Sequence, residues 1–220
     1  MAQQARAIQT RRSILVAAAA VFDERGYSSA TISEILSRAG VTKGALYFHF
    51  SSKEDLALGV MDVQLDSNPL PQLTKLQELV DQGMLLAHRL RHEPLVRASV
   101  GLAMDQAVEG LDRGTPFRAW IDRLEHLLNA AKEQGELLPH VGPRETAEML
   151  AGAFSGIQVM SQALCKREDL GQRISVLLHF VLPSISTPAV LATLDMAKDR
   201  GERLSEALEA SVGQTAGTTG

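Results

Sequence analysis

The chain has 220 residues, of which 45% are hydrophobic, 22% are charged and 4% are aromatic. This balance is ordinary for a globular protein, and the length allows one large domain or one small domain with a larger one. The only cysteine is Cys165, which excludes a disulfide framework. A single thiol suits a reducing compartment, so we expect the chain in the cytoplasm.

The charge is unevenly distributed along the chain. Residues 1–53 contain seven Lys and Arg and three Asp and Glu, a net charge of +4. The whole chain has a net charge of −4, so the remaining residues carry −8. A basic N-terminal segment followed by an acidic remainder fits contact with phosphate through the N-terminal segment alone. It argues against wrapping nucleic acid over the whole surface.

The first helix is predicted from about residue 5 to Arg25, ending at Gly26. The apolar run 14–22 follows Arg11 and Arg12, an order that a signal peptide also shows. Its larger side chains fall at helical spacing, which favours a packing helix instead. No apolar stretch approaches the length of about 20 residues that a bilayer span requires, so we expect no membrane partner.

Residues 31–56 predict a helix-turn-helix followed by a further helix. Thr31 and Glu34 have the spacing of a capping box, which begins a helix. Gly40 stands where a helix C-terminus needs a left-handed residue, and Thr42 can cap the next helix. Two short helices joined by a tight turn are typical of a DNA reader, whose second helix enters the major groove.

The second helix of this motif carries side chains suited to DNA. Lys43 and Tyr47 are four residues apart and therefore share one face, whereas Leu46 and Phe50 are expected to point inward. Hydroxyl groups at the helix starts can reach phosphate, although capping alone would also explain them. The residues predicted to contact DNA are Thr31, Ser33, Thr42, Lys43, Gly44, Ala45, Tyr47, His49 and Lys53.

The remaining sequence predicts only helices, so the expected fold class is all-α. Further helices are expected near 53–65, 72–92, 94–110, 117–134, 143–165, 168–182 and 187–209. The predicted domains are a three-helix DNA-binding domain at 1–52, a helical bundle for ligand binding and dimerisation at 53–210, and a disordered tail at 211–220. The long apolar runs within 143–165 and 168–182 indicate a face that meets a second copy.

No catalytic, metal or cofactor motif stands out. Residues His88 and His92 have metal-ligand spacing, but Arg89 and Arg91 flank them and only Glu93 could add a carboxylate nearby. Cys165 could sense oxidants, although a packing role is the simpler interpretation. We therefore predict no enzyme, no metal and no cofactor.

Two resemblances refine this interpretation. The runs 22–27, 31–35 and 41–56, the last containing Val41-Thr-Lys-Gly-Ala-Leu-Tyr-Phe-His-Phe50, resemble the DNA-binding domain of TetR-type repressors. Segments 101–106, 116–120 and 154–158 are similar to the γ-butyrolactone autoregulator receptors of antibiotic-producing bacteria. The resemblance implies a homodimeric repressor of secondary metabolism. Such a repressor binds a palindromic double-stranded DNA operator and is released by a small lactone-type molecule.

The resemblance also implies a ligand pocket closed by Trp120. The other residues predicted to line this pocket are Gln64, Val100, Leu102, Met104, Phe154, Gln158 and Ser161, whose apolar members suit an acyl chain and whose polar members could orient a lactone.

Three alternatives remain open. The chain could be a TetR-type regulator that answers to an antibiotic or another hydrophobic drug. The resemblance implies that receptor homologues that bind antibiotics tend to be basic, whereas this chain has a pI of about 5.9. A cationic drug would require acidic groups near aromatic rings, which are scarce among the predicted lining residues. An esterase is the alternative from another class, and lactone turnover would identify it. The ligand itself could be a γ-butyrolactone, a related furan or a butenolide.

Overall fold

The computed structural model describes residues 2–62, 71–104 and 114–217, and these residues form helices with no strand. An isolated antiparallel bridge joins Leu137 and Ser186. The predicted all-α fold class is therefore confirmed. The helices of the described residues are α1 (Ala2–Arg25), α2 (Ile32–Ala39), α3 (Lys43–His49), α4 (Lys53–Asp62), α5 (Lys75–His92), α6 (Pro94–Met104), α7 (Gly114–Glu133), α8 (Pro143–Cys165), α9 (Leu170–Ile185), α10 (Pro188–Leu191) and α11 (Arg200–Gly217).

The chain divides into two compact units. The first unit comprises Met1–Asp66 and His92–Phe117, and the second comprises Ser67–Arg91 and Arg118–Gly220. Helices α1–α4 and α6 thus belong to the first unit, and α5 and α8–α11 belong to the second with most of α7. The domain boundary predicted at residue 52 falls inside the first unit, because α4 and α6 both pack against α1.

The core of the first unit is apolar and centres on α1. Gly59 of α4 allows a close approach, since a Cβ atom there would lie 2.9 Å from the ring of Phe50. The Ser99 hydroxyl of α6 donates a hydrogen bond to the Met61 carbonyl of α4 over 2.9 Å. Fully buried side chains of this core include Ile14, Ala18, Ile35, Leu46, Leu56 and Val60. This core fixes the orientation of α2 and α3.

The second unit combines an apolar core with buried polar groups that hold particular helix ends. The Glu136 carboxylate accepts hydrogen bonds from the backbone N–H groups of Lys75 and Leu76, both over 2.8 Å, and so caps α5. Asp81 of α5 is fully buried and accepts two hydrogen bonds from the Arg200 guanidinium, over 2.8 and 2.7 Å. These bonds attach α5 to the turn before α8 and to the start of α11.

The single helix predicted at 187–209 is interrupted in the structure. Helix α10 ends at Leu191 and α11 begins at Arg200. The Gln77 side chain of α5 binds both backbone groups of Asp195, accepting from its N–H over 2.8 Å and donating to its carbonyl over 3.2 Å. Arg203 also pairs with the Asp195 carboxylate at 2.8 Å. These contacts hold residues 192–199 as a turn and outweigh local helix propensity.

The other helices lie close to their predicted positions. Pro94, Pro143 and Pro188 each begin a helix, where a missing N–H group costs nothing. Helix α11 continues to Gly217, so the structure describes a helix over most of the segment 211–220 for which composition predicts disorder. Among the described helices, none has the length and apolar content needed to cross a membrane.

Candidate functional sites

Side-chain caps fix both helices of the helix-turn-helix. The Thr31 hydroxyl accepts a hydrogen bond from the Glu34 N–H over 3.2 Å, and the Glu34 carboxylate accepts from the Thr31 N–H over 3.0 Å. Gly40 ends α2 with φ of 65°, in the left-handed region that favours glycine. The Thr42 hydroxyl then accepts from the Ala45 N–H over 3.2 Å and begins α3. The predicted capping box and turn are both present.

Helix α3 presents one face to the core and another to solvent. Leu46 is fully buried and Phe50 is 2% exposed, so both anchor the helix as predicted. Lys43 and Gly44 are exposed, and Tyr47 is 45% exposed. The Lys43 ammonium lies 5.8 Å from the centroid of the Tyr47 ring, so the two side chains share one surface. The solvent-exposed face of α3 therefore carries the ammonium group of Lys43 and the hydroxyl group of Tyr47.

Phe48 is a further exposed residue of α3 that the sequence interpretation missed. Its side chain is 80% exposed, and its ring packs edge-on against half-buried His49 with centroids 5.0 Å apart. A helical wheel would have found it, because position 48 lies opposite Leu46. An exposed aromatic ring beside Tyr47 can make apolar contact with thymine methyl groups.

The predicted phosphate contacts at the helix starts have local partners. Thr31 and Thr42 use their hydroxyl groups as caps, and Thr31 also donates to the Glu34 carboxylate over 2.8 Å. Ser33 is exposed on the first turn of α2, and Ala45 is half-buried on α3. Contact of these residues with DNA stays a prediction.

Lys53 is held at the start of α4 by the loop that follows α1. Its ammonium lies 4.5 Å from the centroid of the Tyr27 ring and donates to the Ser28 carbonyl over 3.4 Å. Burial of the ammonium lowers the pKa of Lys53 from its ordinary value. Lys53 therefore has an internal bracing role in addition to the DNA contact predicted for it.

Trp120 and Phe154 meet in the second unit. Their ring centroids are 6.3 Å apart and the rings are tilted by 47°. Phe154 is 8% exposed on α8, whereas Trp120 is half-buried on α7. Of the residues predicted to line a ligand pocket, this is the aromatic pair that the structure brings together.

The polar residues predicted on α8 are buried and already hydrogen-bonded. The Gln158 side-chain oxygen accepts from the Arg167 guanidinium over 3.0 and 3.3 Å. The Ser161 hydroxyl donates to the Asp169 carboxylate over 2.6 Å. Hydrogen bonds from Arg173 and Ser161 hold the pKa of Asp169 well below its usual range. Both residues predicted to contact the ligand thus form hydrogen bonds with the short loop that connects α8 to α9.

The other predicted lining residues are placed as follows. Val100, Leu102 and Met104 lie on α6 of the first unit, where Leu102 is 4% exposed within the core. Gln64 lies outside the described residues.

Helices α8 and α9 pack together and carry an exposed apolar face. Phe180 is 80% exposed and Leu164 is 67% exposed, values unusual for such large apolar side chains. The large apolar side chains exposed on these two helices are Met149, Val159, Met160, Leu164, Val176 and Phe180. Gly152 and Gly156 are also exposed on α8, which allows another backbone to approach closely. We refer to these residues as the α8–α9 face.

Comparisons with known proteins agree with this arrangement. Residues 14–60, which include the helix-turn-helix, match the family of bacterial regulatory proteins described as the tetR family. The A-factor receptor protein of Streptomyces griseus is 45% identical over 195 residues, covering 87% of this chain and 69% of that protein.

Two solved structures extend the likeness over most of the fold. Full-length TylP, a TetR regulator from Streptomyces fradiae, superposes with a TM-score of 0.87 at 45% identity, covering 92% of this chain and 98% of TylP. A γ-butyrolactone receptor (ArpA-like protein) superposes with a TM-score of 0.66 at 29% identity, covering 92% of this chain and 99% of that receptor. The predicted resemblance is confirmed: the chain belongs to the tetR family of bacterial regulatory proteins.

Proposed function

We propose that this protein is a ligand-responsive transcriptional repressor of secondary-metabolism genes. It binds a palindromic operator as a homodimer and is released by a small lactone-type signalling molecule, a γ-butyrolactone or a related furan or butenolide. It binds this molecule without converting it, and it acts in the cytoplasm, where the operator lies.

The observation that carries the DNA-binding part is the outward face of α3. Lys43, Tyr47 and Phe48 project from a short helix whose opposite side is anchored by Leu46. Lysine reaches guanine or phosphate, a tyrosine hydroxyl reaches phosphate, and a phenyl ring packs on thymine methyl groups. The basic charge of the surrounding residues 1–53 attracts DNA to this end of the chain.

The α8–α9 face supports the homodimer. A cluster of exposed apolar side chains on two adjacent helices marks an interaction surface. A second copy can cover the same patch through a two-fold axis, and the resulting dimer would present two α3 helices to a palindrome.

The lactone part rests on the relatives and on the aromatic pair. One relative is named for reception of A-factor, and one solved structure is titled a γ-butyrolactone receptor. Trp120, half-buried beside Phe154, offers an apolar wall of the kind that ligand sites use. An antibiotic or another hydrophobic drug is the alternative ligand class.

One experiment tests the proposal as a whole. The purified chain is used to select sequences from a random duplex library, and the selected duplex is labelled for fluorescence anisotropy. We expect a palindromic consensus and its release by a γ-butyrolactone that carries an alkyl chain. A non-palindromic consensus would contradict the dimeric operator complex, and release only by antibiotics would favour the alternative ligand class.

A further inference from the structure

Gly44 occupies a position in the first turn of α3 where the fold itself does not require a glycine. Glycine in a helix lowers stability relative to alanine, because it loses more conformational freedom on folding. Gly44 is not among the glycines with positive φ, which are Gly26, Gly40 and Gly135. A Cβ atom added at Gly44 would meet open space, with no described atom outside its own stretch of helix within 4 Å. The reason for this glycine therefore lies with a partner that approaches α3 closely.

Gly44 and Phe48 lie at the centre of the outward face of α3. Successive residues of an α-helix are about 100° apart, so both positions lie about 160° around the helix from fully buried Leu46. They are four residues apart and are therefore neighbours on the helix surface. Lys43 and Tyr47 lie toward one edge of the same exposed face. A partner that meets α3 head-on thus meets Gly44 and Phe48 first.

The ring of Phe48 borders the open space at Gly44. Its side chain is 80% exposed, and half-buried His49 packs edge-on against the ring with centroids 5.0 Å apart, a contact that restricts the ring's movement. Aromatic side chains in helices point back toward the preceding turn, which here contains Gly44. We refer to the open space at Gly44 together with the Phe48 ring as the α3 notch. The notch combines a close approach to the helix backbone with an apolar wall.

We propose that the α3 notch receives the methyl group of a thymine at a fixed position in each operator half-site, so that Gly44 and Phe48 determine this part of the sequence specificity. This inference rests on the proposed function, because it requires α3 to enter the major groove. The thymine methyl is the apolar group that the base edges present there, and a phenyl ring has no hydrogen-bonding group for the other edges. The net charge of +4 on residues 1–53 favours DNA over an apolar protein partner as the occupant.

The test removes the methyl group from the DNA. Deoxyuridine in place of thymine deletes this methyl and preserves base pairing. The duplex selected from the random library is remade with deoxyuridine at each thymine in turn, symmetrically in both half-sites, and fluorescence anisotropy measures the affinity. We expect a position at which the wild-type protein binds about fifteenfold more weakly, or about fourfold for each methyl group that is no longer buried. Phe48→Ala should bind the thymine and deoxyuridine duplexes equally at that position.

Gly44→Ala separates a role in binding from a role in folding. The added methyl group meets open space in the free protein and improves helix propensity, so the melting temperature should equal or exceed that of the wild type. The same group occupies the α3 notch, so the affinity for the thymine operator should fall by about tenfold or more and the preference over deoxyuridine should disappear. Tyr47→Phe leaves the notch intact and is the matched control, which should keep this preference.

The remaining outcomes separate this inference from the proposed function. A selected operator without thymine in its half-sites, or equal wild-type affinity for the thymine duplex and every deoxyuridine duplex, would overturn the role of the α3 notch and leave operator binding intact. Wild-type preference in Phe48→Ala, or a lowered melting temperature in Gly44→Ala, would also overturn it. If the wild-type protein selects no duplex sequence at all, the DNA-binding part of the proposed function is rejected and the notch with it.

Discussion

Leu46 and Tyr47 are adjacent in α3 and have opposite environments. Leu46 is fully buried, and replacing it with alanine should destabilise the protein by about 2–5 kcal/mol through the cavity left behind. Tyr47 is 45% exposed and contributes little to the core. The separation of folding residues from DNA-facing residues within one short helix makes the recognition surface open to mutation without unfolding.

The first prediction concerns this surface. The double variant Lys43→Ala/Tyr47→Ala should lose about a hundredfold or more in operator affinity, because two contacts of roughly 1–3 kcal/mol each are removed. Its melting temperature should stay within a few degrees of wild type. Anisotropy titration at physiological salt and thermal denaturation provide the two measurements. Full operator affinity in the double variant would show that α3 is not the recognition helix.

The second prediction concerns the capping box of α2. Thr31→Ala removes the acceptor for the Glu34 N–H and should cost about 1 kcal/mol in the free energy of unfolding. Hydrogen bonds from Thr31 lower the pKa of Glu34. The stabilisation from the ionised carboxylate is therefore present above the unfolded pKa and is lost as the pH falls through the folded pKa. The difference between wild type and Thr31→Ala in urea denaturation should shrink over that acidic range.

Ser33→Ala is the control for this cap. Ser33 is exposed on the first turn of the same helix, so its replacement should change stability by less than about 0.5 kcal/mol. Equal destabilisation by Ser33→Ala and Thr31→Ala would mean that the hydroxyl of Thr31 has no special role in starting α2.

Single residues also show where sequence reasoning ends. The partners of Thr31 and Thr42 are three residues away, so spacing alone predicted both caps. Gln158 and Ser161 were predicted as ligand contacts, and the partners that occupy them, Arg167 and Asp169, follow a chain reversal that spacing does not describe.

The helices show the same limit at a larger scale. Periodicity, glycine and proline predicted both ends of α2 and α8 and the start of α3 closely, because these signals are local. The interruption between α10 and α11 depends on the binding of Asp195 by Gln77, 118 residues earlier in the chain. A contact over that separation cannot be inferred from a local pattern, so a continuous helix was the expectation.

The third prediction concerns the α8–α9 face. Phe180→Arg places a charge on the most exposed aromatic side chain of this face, where dimerisation would bury it without a partner. We expect a monomer with wild-type helicity. Its operator affinity should fall because a single helix-turn-helix makes half of the DNA contacts of a dimer. Light scattering after gel filtration measures the mass, and anisotropy measures the binding.

Leu73→Arg provides the matched control for this face. Leu73 is fully exposed in the second unit, outside α8 and α9, so its charge should leave the mass and the affinity unchanged. A wild-type protein that is already monomeric at micromolar concentration would exclude the proposed dimer. A dimeric Phe180→Arg protein would place the interface elsewhere.

The whole molecule has a basic head and an acidic remainder, which gives the fourth prediction. Neutralising one DNA phosphate releases counterions and contributes about −0.9 to the slope of log affinity against log salt concentration. If the Lys43 ammonium contacts a phosphate, Lys43→Ala should make this slope less steep by about 0.9 for each subunit bound to the operator. Tyr47→Phe, which removes no charge, should keep the wild-type slope. Unchanged slopes in both variants would assign Lys43 to a base rather than to a phosphate.

Release by a ligand is a property of the entire chain and has a minimum energetic requirement. A hundredfold loss of operator affinity needs about 2.7 kcal/mol of difference in ligand binding between the two states of the repressor. Burial of each methylene of an alkyl chain contributes about 0.8 kcal/mol, so a chain of medium length supplies more than this amount. Only the part of that energy that differs between the states shifts the population.

The last prediction concerns the side chain that would sense whether the ligand site is occupied. Trp120 is half-buried beside Phe154, so its indole can cover a ligand and lose contact when the ligand leaves. Trp120→Ala should bind the operator with wild-type affinity and require at least tenfold more lactone for release, giving persistent repression. Ile121→Ala, at the next and also half-buried position of α7, should respond normally. Normal release of Trp120→Ala would remove Trp120 from the ligand site, whereas loss of helicity together with operator binding would assign it to the structural core.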